Sequence, residues 1–117
     1  RIIVEHAKSQ NEGGKVFPLL GICLGHQLLS YLTSGYDDNW IQRVDGEAPV
    51  VNNITLTANN SYIFSKIPEN LLKAATEKSG VLYFSHHWAV YTSFFNNSQQ
   101  LTKFWNLVAK TTSSHGQ

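Results

Sequence analysis

Apolar positions in this chain fall into short periodic blocks separated by polar punctuation. Val16-Phe17-Pro18-Leu19-Leu20 is a continuous apolar run of strand length, and Leu24, Leu28, Leu29 and Leu32 follow at helical spacing. Between the two lies Gly21-Ile22-Cys23-Leu24-Gly25-His26-Gln27. A strand that breaks directly into a helix, with a cysteine between two glycines, has the form of a nucleophile elbow, in which the nucleophile occupies a strained turn clear of the sheet. Side chains at Gly21 or Gly25 are expected to collide across that turn. Thr33-Ser34-Gly35 supplies the stop of the helix, with Gly35 suited to a left-handed cap.

The remaining blocks extend the pattern. Residues 1–10 read as the tail of a helix whose beginning is missing, and Asn11-Glu12-Gly13-Gly14 as a turn into the strand at Val16. Residues 35–39 form a polar loop. Ile41, Val44, Val50 and Val51 suit short strands around a turn at Gly46, and Ile54-Thr55-Leu56-Thr57 alternates as a half-buried strand does. Pro68-Glu69-Asn70 opens a helix through Leu71, Leu72, Ala74 and Ala75, which Gly80 ends. Val81-Leu82-Tyr83-Phe84 reads as a strand delivering Ser85-His86-His87-Trp88 at its carboxyl end, where open α/β sheets bind ligands. Residues 99–104 suggest a short helix, residues 105–109 a strand, and residues 111–117 a polar tail. Helices and strands alternating around an elbow predict an α/β fold, an open and mostly parallel doubly wound sheet of flavodoxin-like type. Such a sheet needs more strands than 117 residues hold, and the chain contains no methionine, so residues 1–117 are expected to be an incomplete single domain.

Composition narrows the partners. Nine basic and eight acidic residues give a net charge of +1 with no run of either sign, which argues against nucleic acid and anionic membrane as partners. No apolar run approaches a membrane span. One cysteine excludes an internal disulfide and makes a cysteine zinc site implausible. At the first turn of a helix a thiol meets the positive end of the macrodipole and unpaired amides, which favour the thiolate. The amide of Leu24 is then placed to donate to the oxygen of a tetrahedral intermediate. Asn53-Ile54-Thr55, Asn59-Asn60-Ser61 and Asn96-Asn97-Ser98 fit the N-glycosylation pattern and are compatible with a secretory, vacuolar or lysosomal route.

The elbow heptapeptide resembles the nucleophile motif of class I glutamine amidotransferases. Phe17-Pro18, Ile67-Pro68-Glu69-Asn70-Leu71-Leu72 and Phe84-Ser85-His86-His87-Trp88 are similar to gamma-glutamyl hydrolase, over about residues 16–110. The resemblance implies a hydrolase acting on a small molecule, the folylpoly-gamma-glutamates. Cys23 would attack the gamma-carbonyl and water would resolve the resulting thioester. It implies no cofactor and no metal, and a homodimer for the full-length protein. His86 matches a histidine the family uses near substrate, and Trp88 is the aromatic residue to test for ligand contact. His87, pointing the opposite way on an extended segment, is not expected to share that cleft. His26 is expected to pack on the elbow helix, and His6 and His115 to lie at the surface.

Two departures leave alternatives open. Gln27 stands where family members commonly carry an acidic residue, as it does in glutaminase domains that feed ammonia to a synthetase. Nothing here matches the His-Pro-Glu motif holding the family's catalytic histidine, which is expected beyond the C-terminal end. An inactive fragment or pseudoenzyme is therefore a third reading, and service by His86 as base for Cys23 a further one.

Overall fold

A computed structural model describes residues 1–44, 50–58, 61–78 and 81–112. Its elements, in chain order, are α1 (Ile2–Glu12), α2 (Leu24–Thr33), β1 (Gln42–Arg43), β2 (Val50–Asn52), β3 (Thr55–Leu56), α3 (Tyr62–Ser65), α4 (Glu69–Glu77), β4 (Leu82–Phe84), β5 (Trp88–Ala89), α5 (Thr92–Asn97), α6 (Gln99–Phe104) and β6 (Ala109–Lys110). They divide into two compact units, residues 1–42 with 90–105, and residues 43–89 with the chain from 106.

In the first unit the core is small and lies among helices. Val4 and Ala7, three apart on α1, are buried together with Leu101 of α6. Helix α2 turns Ser30 and Thr33 inward, and both hydroxyls bond back along the helix, Ser30 Oγ donating to His26 O at 2.9 Å and Thr33 Oγ1 to Leu29 O at 2.7 Å. Thr33 Oγ1 also accepts from the Trp105 indole Nε1–H at 2.8 Å, which ties the end of α2 to the residue that closes α6. Helix α6 begins on Ser98, whose hydroxyl accepts from the Leu101 N–H.

Helix α2 ends as its sequence requires. Gly35 takes φ +85°, and the Tyr36 N–H reaches back to Tyr31 O at 3.2 Å, the six-to-one bond of a Schellman ending. The rings of Tyr31 and Tyr36 meet edge to face at 5.5 Å, supplying the apolar contact that accompanies that motif.

The second unit is built from paired short strands and helix α4. Strand β2 runs antiparallel to β4 with Val51 opposite Tyr83, and β3 antiparallel to β6 with Thr55 opposite Lys110. The last carbonyls of α4, which have no partner within the helix, accept from the segment beside them: Ile54 N–H bonds Ala75 O, and the Asn53 side chain bonds Thr76 O, each at 3.0 Å. Helix α4 starts after Pro68 with Glu69 in its first turn, as predicted.

A mixture of helices and strands is borne out, and so are the helices at residues 69–77 and 99–104 and the strand at residues 82–84. The mostly parallel doubly wound sheet is not what the described residues form, because the residue-by-residue registers within them are antiparallel. The run at residues 16–20 forms no strand and belongs to no sheet, since no described strand lies alongside to take its N–H and C=O groups. Its alternation survives nonetheless: Phe17 and Leu19 are half-buried while Val16 and Leu20 are 90% and 86% exposed. The strand expected over residues 105–109 shrinks to β6, and α3 and α5 appear where no helix was expected. The turn at Gly46, the stop at Gly80 and the tail from residue 113 lie outside the described residues.

Candidate active site

Cys23 is the N-cap of α2 and takes φ 52° and ψ −118°, a left-handed conformation rare for a residue with a side chain. The thiol is exposed. Strain of this kind costs on the order of 1–3 kcal/mol and persists only where neighbouring structure enforces it. Gly21 permits the close approach that accompanies it. A Cβ there would stand 2.7 Å from Gly25 O and from His26 N, so the chain entering the elbow passes directly against the backbone of the first helical turn.

The expectation for Gly25 is corrected. A Cβ at Gly25 meets nothing within 4 Å outside its own helix backbone, because Gly25 already belongs to α2 and its hydrogen-side faces open space. The steric need for glycine therefore lies on the strand side of the thiol.

Backbone donors at the elbow are differently occupied. Gly25 N–H donates to Ile22 O at 2.9 Å and Gln27 N–H to Cys23 O at 3.2 Å. Leu24 N–H has no acceptor among the described residues. A free amide in the residue after an exposed thiol can donate to the carbonyl-derived oxygen of an adduct formed on that sulfur.

The other residues singled out lie in the second unit. His86 and His87 are both exposed, and the His86 ring meets Phe84 edge to face at 6.0 Å. Val44 N–H donates to His87 O at 2.8 Å, holding the backbone between β4 and β5. Trp88 is 49% exposed on β5. The structure thus brings Gly21, Cys23, Leu24 and Gly25 together in one unit, and His86 and Trp88 in the other. His26 is exposed on α2 and His6 stands edge to face with Phe17 at 5.3 Å, while His115 lies outside the described residues.

Sequence reasoning missed Asn11, read there as a turn residue. It sits in the last turn of α1 and bonds the segment leading to the elbow through both ends of its carboxamide. The same unit contains a cleft of about 610 Å³ walled by Phe17, Leu19, Leu32, Tyr36, Phe104 and Trp105. Among the sequons, Asn96 is exposed on α5, Asn53 is half-buried and bonded to Thr76, and Asn59 lies outside the described residues. No helix among the described residues is long and apolar enough to cross a membrane.

The described residues thus present one cysteine, exposed and at positive φ, at the start of a helix. Comparison with known proteins agrees with the motif resemblance. The chain is similar to gamma-glutamyl hydrolase of Rattus norvegicus (28% identical over 96% of this chain) and of Mus musculus (30% over 96%). It is also similar to gamma-glutamyl hydrolase 1 of Arabidopsis thaliana (28% over 91%). No family model matches. The chain spans about a third of the length of these curated relatives, 35%, 35% and 30% respectively.

Proposed function

We propose that this chain carries the nucleophile of a gamma-glutamyl hydrolase acting on folylpoly-gamma-glutamates. The observation that carries the reading is the exposed Cys23 thiol, held at a left-handed φ on the N-terminus of α2, in a chain similar to three gamma-glutamyl hydrolases.

In this reading the Cys23 thiolate adds to the gamma-carbonyl carbon, forming a C–S bond and placing negative charge on the oxygen. Leu24 N–H donates to that oxygen. Collapse of the tetrahedral adduct breaks the C–N bond, the leaving amine takes a proton, and a thioester to Cys23 remains. Water then adds to the thioester and the thiolate departs, so one hard amide hydrolysis becomes two easier steps. Proton transfer to the amine is assigned to the histidine of the His-Pro-Glu motif that the resemblance leads one to expect after these residues. His86 and Trp88 are assigned to substrate binding. In the whole protein the segment at residues 16–20 becomes a strand of the doubly wound sheet, and the sequons are compatible with a vacuolar, lysosomal or secreted route.

The test offers the full-length protein that carries these residues a pteroyl gamma-linked diglutamate and, separately, free glutamine, with Cys23→Ala as the control. Release of glutamate from the diglutamate, reduced at least about a thousandfold in the alanine variant, is the expected result. Hydrolysis of glutamine alone would favour the glutaminase reading, and turnover of neither would leave an inactive chain.

A further inference from the structure

We infer that Asn11 is a positioning residue for the Cys23 thiol, its carboxamide standing in for a neighbouring strand on the segment that enters the elbow. Asn11 Nδ2 donates to Phe17 O and Phe17 N–H donates to Asn11 Oδ1, both at 2.9 Å. That exchange of one donor and one acceptor is what a residue of an adjoining β-strand makes with its opposite number. Among the described residues nothing else bonds the Phe17 backbone, and residues 16 and 18–21 have no backbone hydrogen bond recorded in either direction. The amide side chain is therefore the one ladder-like contact on a segment that otherwise lacks a ladder.

The clamp is anchored at both ends. Asn11 belongs to α1, whose Val4 and Ala7 are 5% and 0% exposed in the core of the unit, so the carboxamide transmits a fixed frame. The turn beneath it is closed by Gly14 N–H to Asn11 O at 3.1 Å and Lys15 N–H to Gln10 O at 2.9 Å, with Gly14 at φ +76°. The His6 ring, also on α1, rests edge to face on Phe17. Pro18 follows with its φ fixed by the ring, and Gly21 then wedges against the backbone of Gly25 and His26. The path from Phe17 to Cys23 is thus short and constrained at Pro18 and Gly21, so a displacement at its start is carried toward the sulfur. A misplacement of about 1 Å at a reacting atom can cost up to about a hundredfold in rate.

The inference rests on Cys23 as nucleophile, so its test uses a readout that does not need turnover. Asn11→Ala is compared with wild type and with Gln10→Ala, a neighbouring change that leaves both Phe17 bonds in place, at a temperature well below each protein's unfolding midpoint. The iodoacetamide alkylation rate of Cys23 at pH 7 is expected to fall about tenfold in Asn11→Ala and to stay at the wild-type value in Gln10→Ala. With the diglutamate substrate, kcat is expected to fall by a similar factor while KM stays within about twofold. A wild-type alkylation rate in Asn11→Ala, or a loss of activity confined to KM, overturns the inference. Should wild type turn over no substrate, the proposed function fails while the alkylation rates still decide the role of Asn11. Should Asn11→Ala not fold, Asn11→Asp keeps the acceptor for Phe17 N–H and loses the donor to its carbonyl. A few-fold slower alkylation in that variant supports the clamp, and a wild-type rate sinks it.

Discussion

A methyl group added at Gly21 would stand 2.7 Å from Gly25 O and His26 N, whereas one added at Gly25 would meet nothing within 4 Å. The obstructing atoms at Gly21 are backbone, so they cannot swing aside, and the elbow itself must open. Gly21→Ala is expected to lower stability by about 1–3 kcal/mol in a urea titration and to slow alkylation of Cys23. Gly25→Ala, in a helix and unobstructed, is expected to leave stability of this chain unchanged or raise it by about 0.5–1 kcal/mol. Equal losses from the two substitutions would contradict the geometry. The pair also marks what was legible at this scale. The Gly-x-Cys-x-Gly spacing predicted a turn into a helix at Cys23, but only the path of the backbone revealed which glycine the turn needs.

Helix α2 is the element on which the site depends, and its ends and its orientation are governed differently. Its start follows from local sequence, and so does its Schellman stop at Gly35 and Tyr36. Its orientation does not, because the inward face is Ser30 and Thr33 while Leu24 and Leu28 stand 73% and 54% exposed. The Trp105 indole on Thr33 Oγ1 joins residues 72 apart in sequence, a contact that no window along the chain could disclose. Thr33→Val keeps the shape and removes the acceptor, leaving a half-buried N–H unpaired, and is expected to cost about 1–3 kcal/mol in thermal unfolding. Combining it with Trp105→Phe, which removes the donor too, is expected to cost less than the two single changes summed. Strict additivity would show that the bond contributes nothing.

On the scale of the whole molecule, the notable feature is how much apolar surface surrounds the elbow. Val16, Leu20, Ile22, Leu24 and Leu28 are 90%, 86%, 75%, 73% and 54% exposed, while the buried apolar residues among those described are Val4, Ala7 and Leu101. Apolar surface on this scale marks an interaction face or an aggregation hazard. A segment beside it whose backbone groups have few partners adds a template for strand addition. The purified chain is expected to bind the dye ANS strongly and to self-associate at micromolar concentration. A monodisperse monomer that binds no dye and melts in one sharp transition would contradict this.

Local chemistry settled the turn at Cys23, the helix that follows it and its glycine stop, because these depend on residues within a few positions of one another: a cysteine between glycines, leucines at helical spacing, a residue free to take positive φ. The same locality carried the helix after Pro68 and the resemblance to gamma-glutamyl hydrolases. Tertiary structure alone decided the antiparallel registers of β2 with β4 and β3 with β6, the grip of Asn11 on Phe17, the bond between Trp105 and Thr33, and the bare outer face of α2. Strand pairing and burial are set by which segments meet in space, and a run such as residues 16–20 has the same apolar pattern whether or not a neighbour arrives to complete its hydrogen bonds.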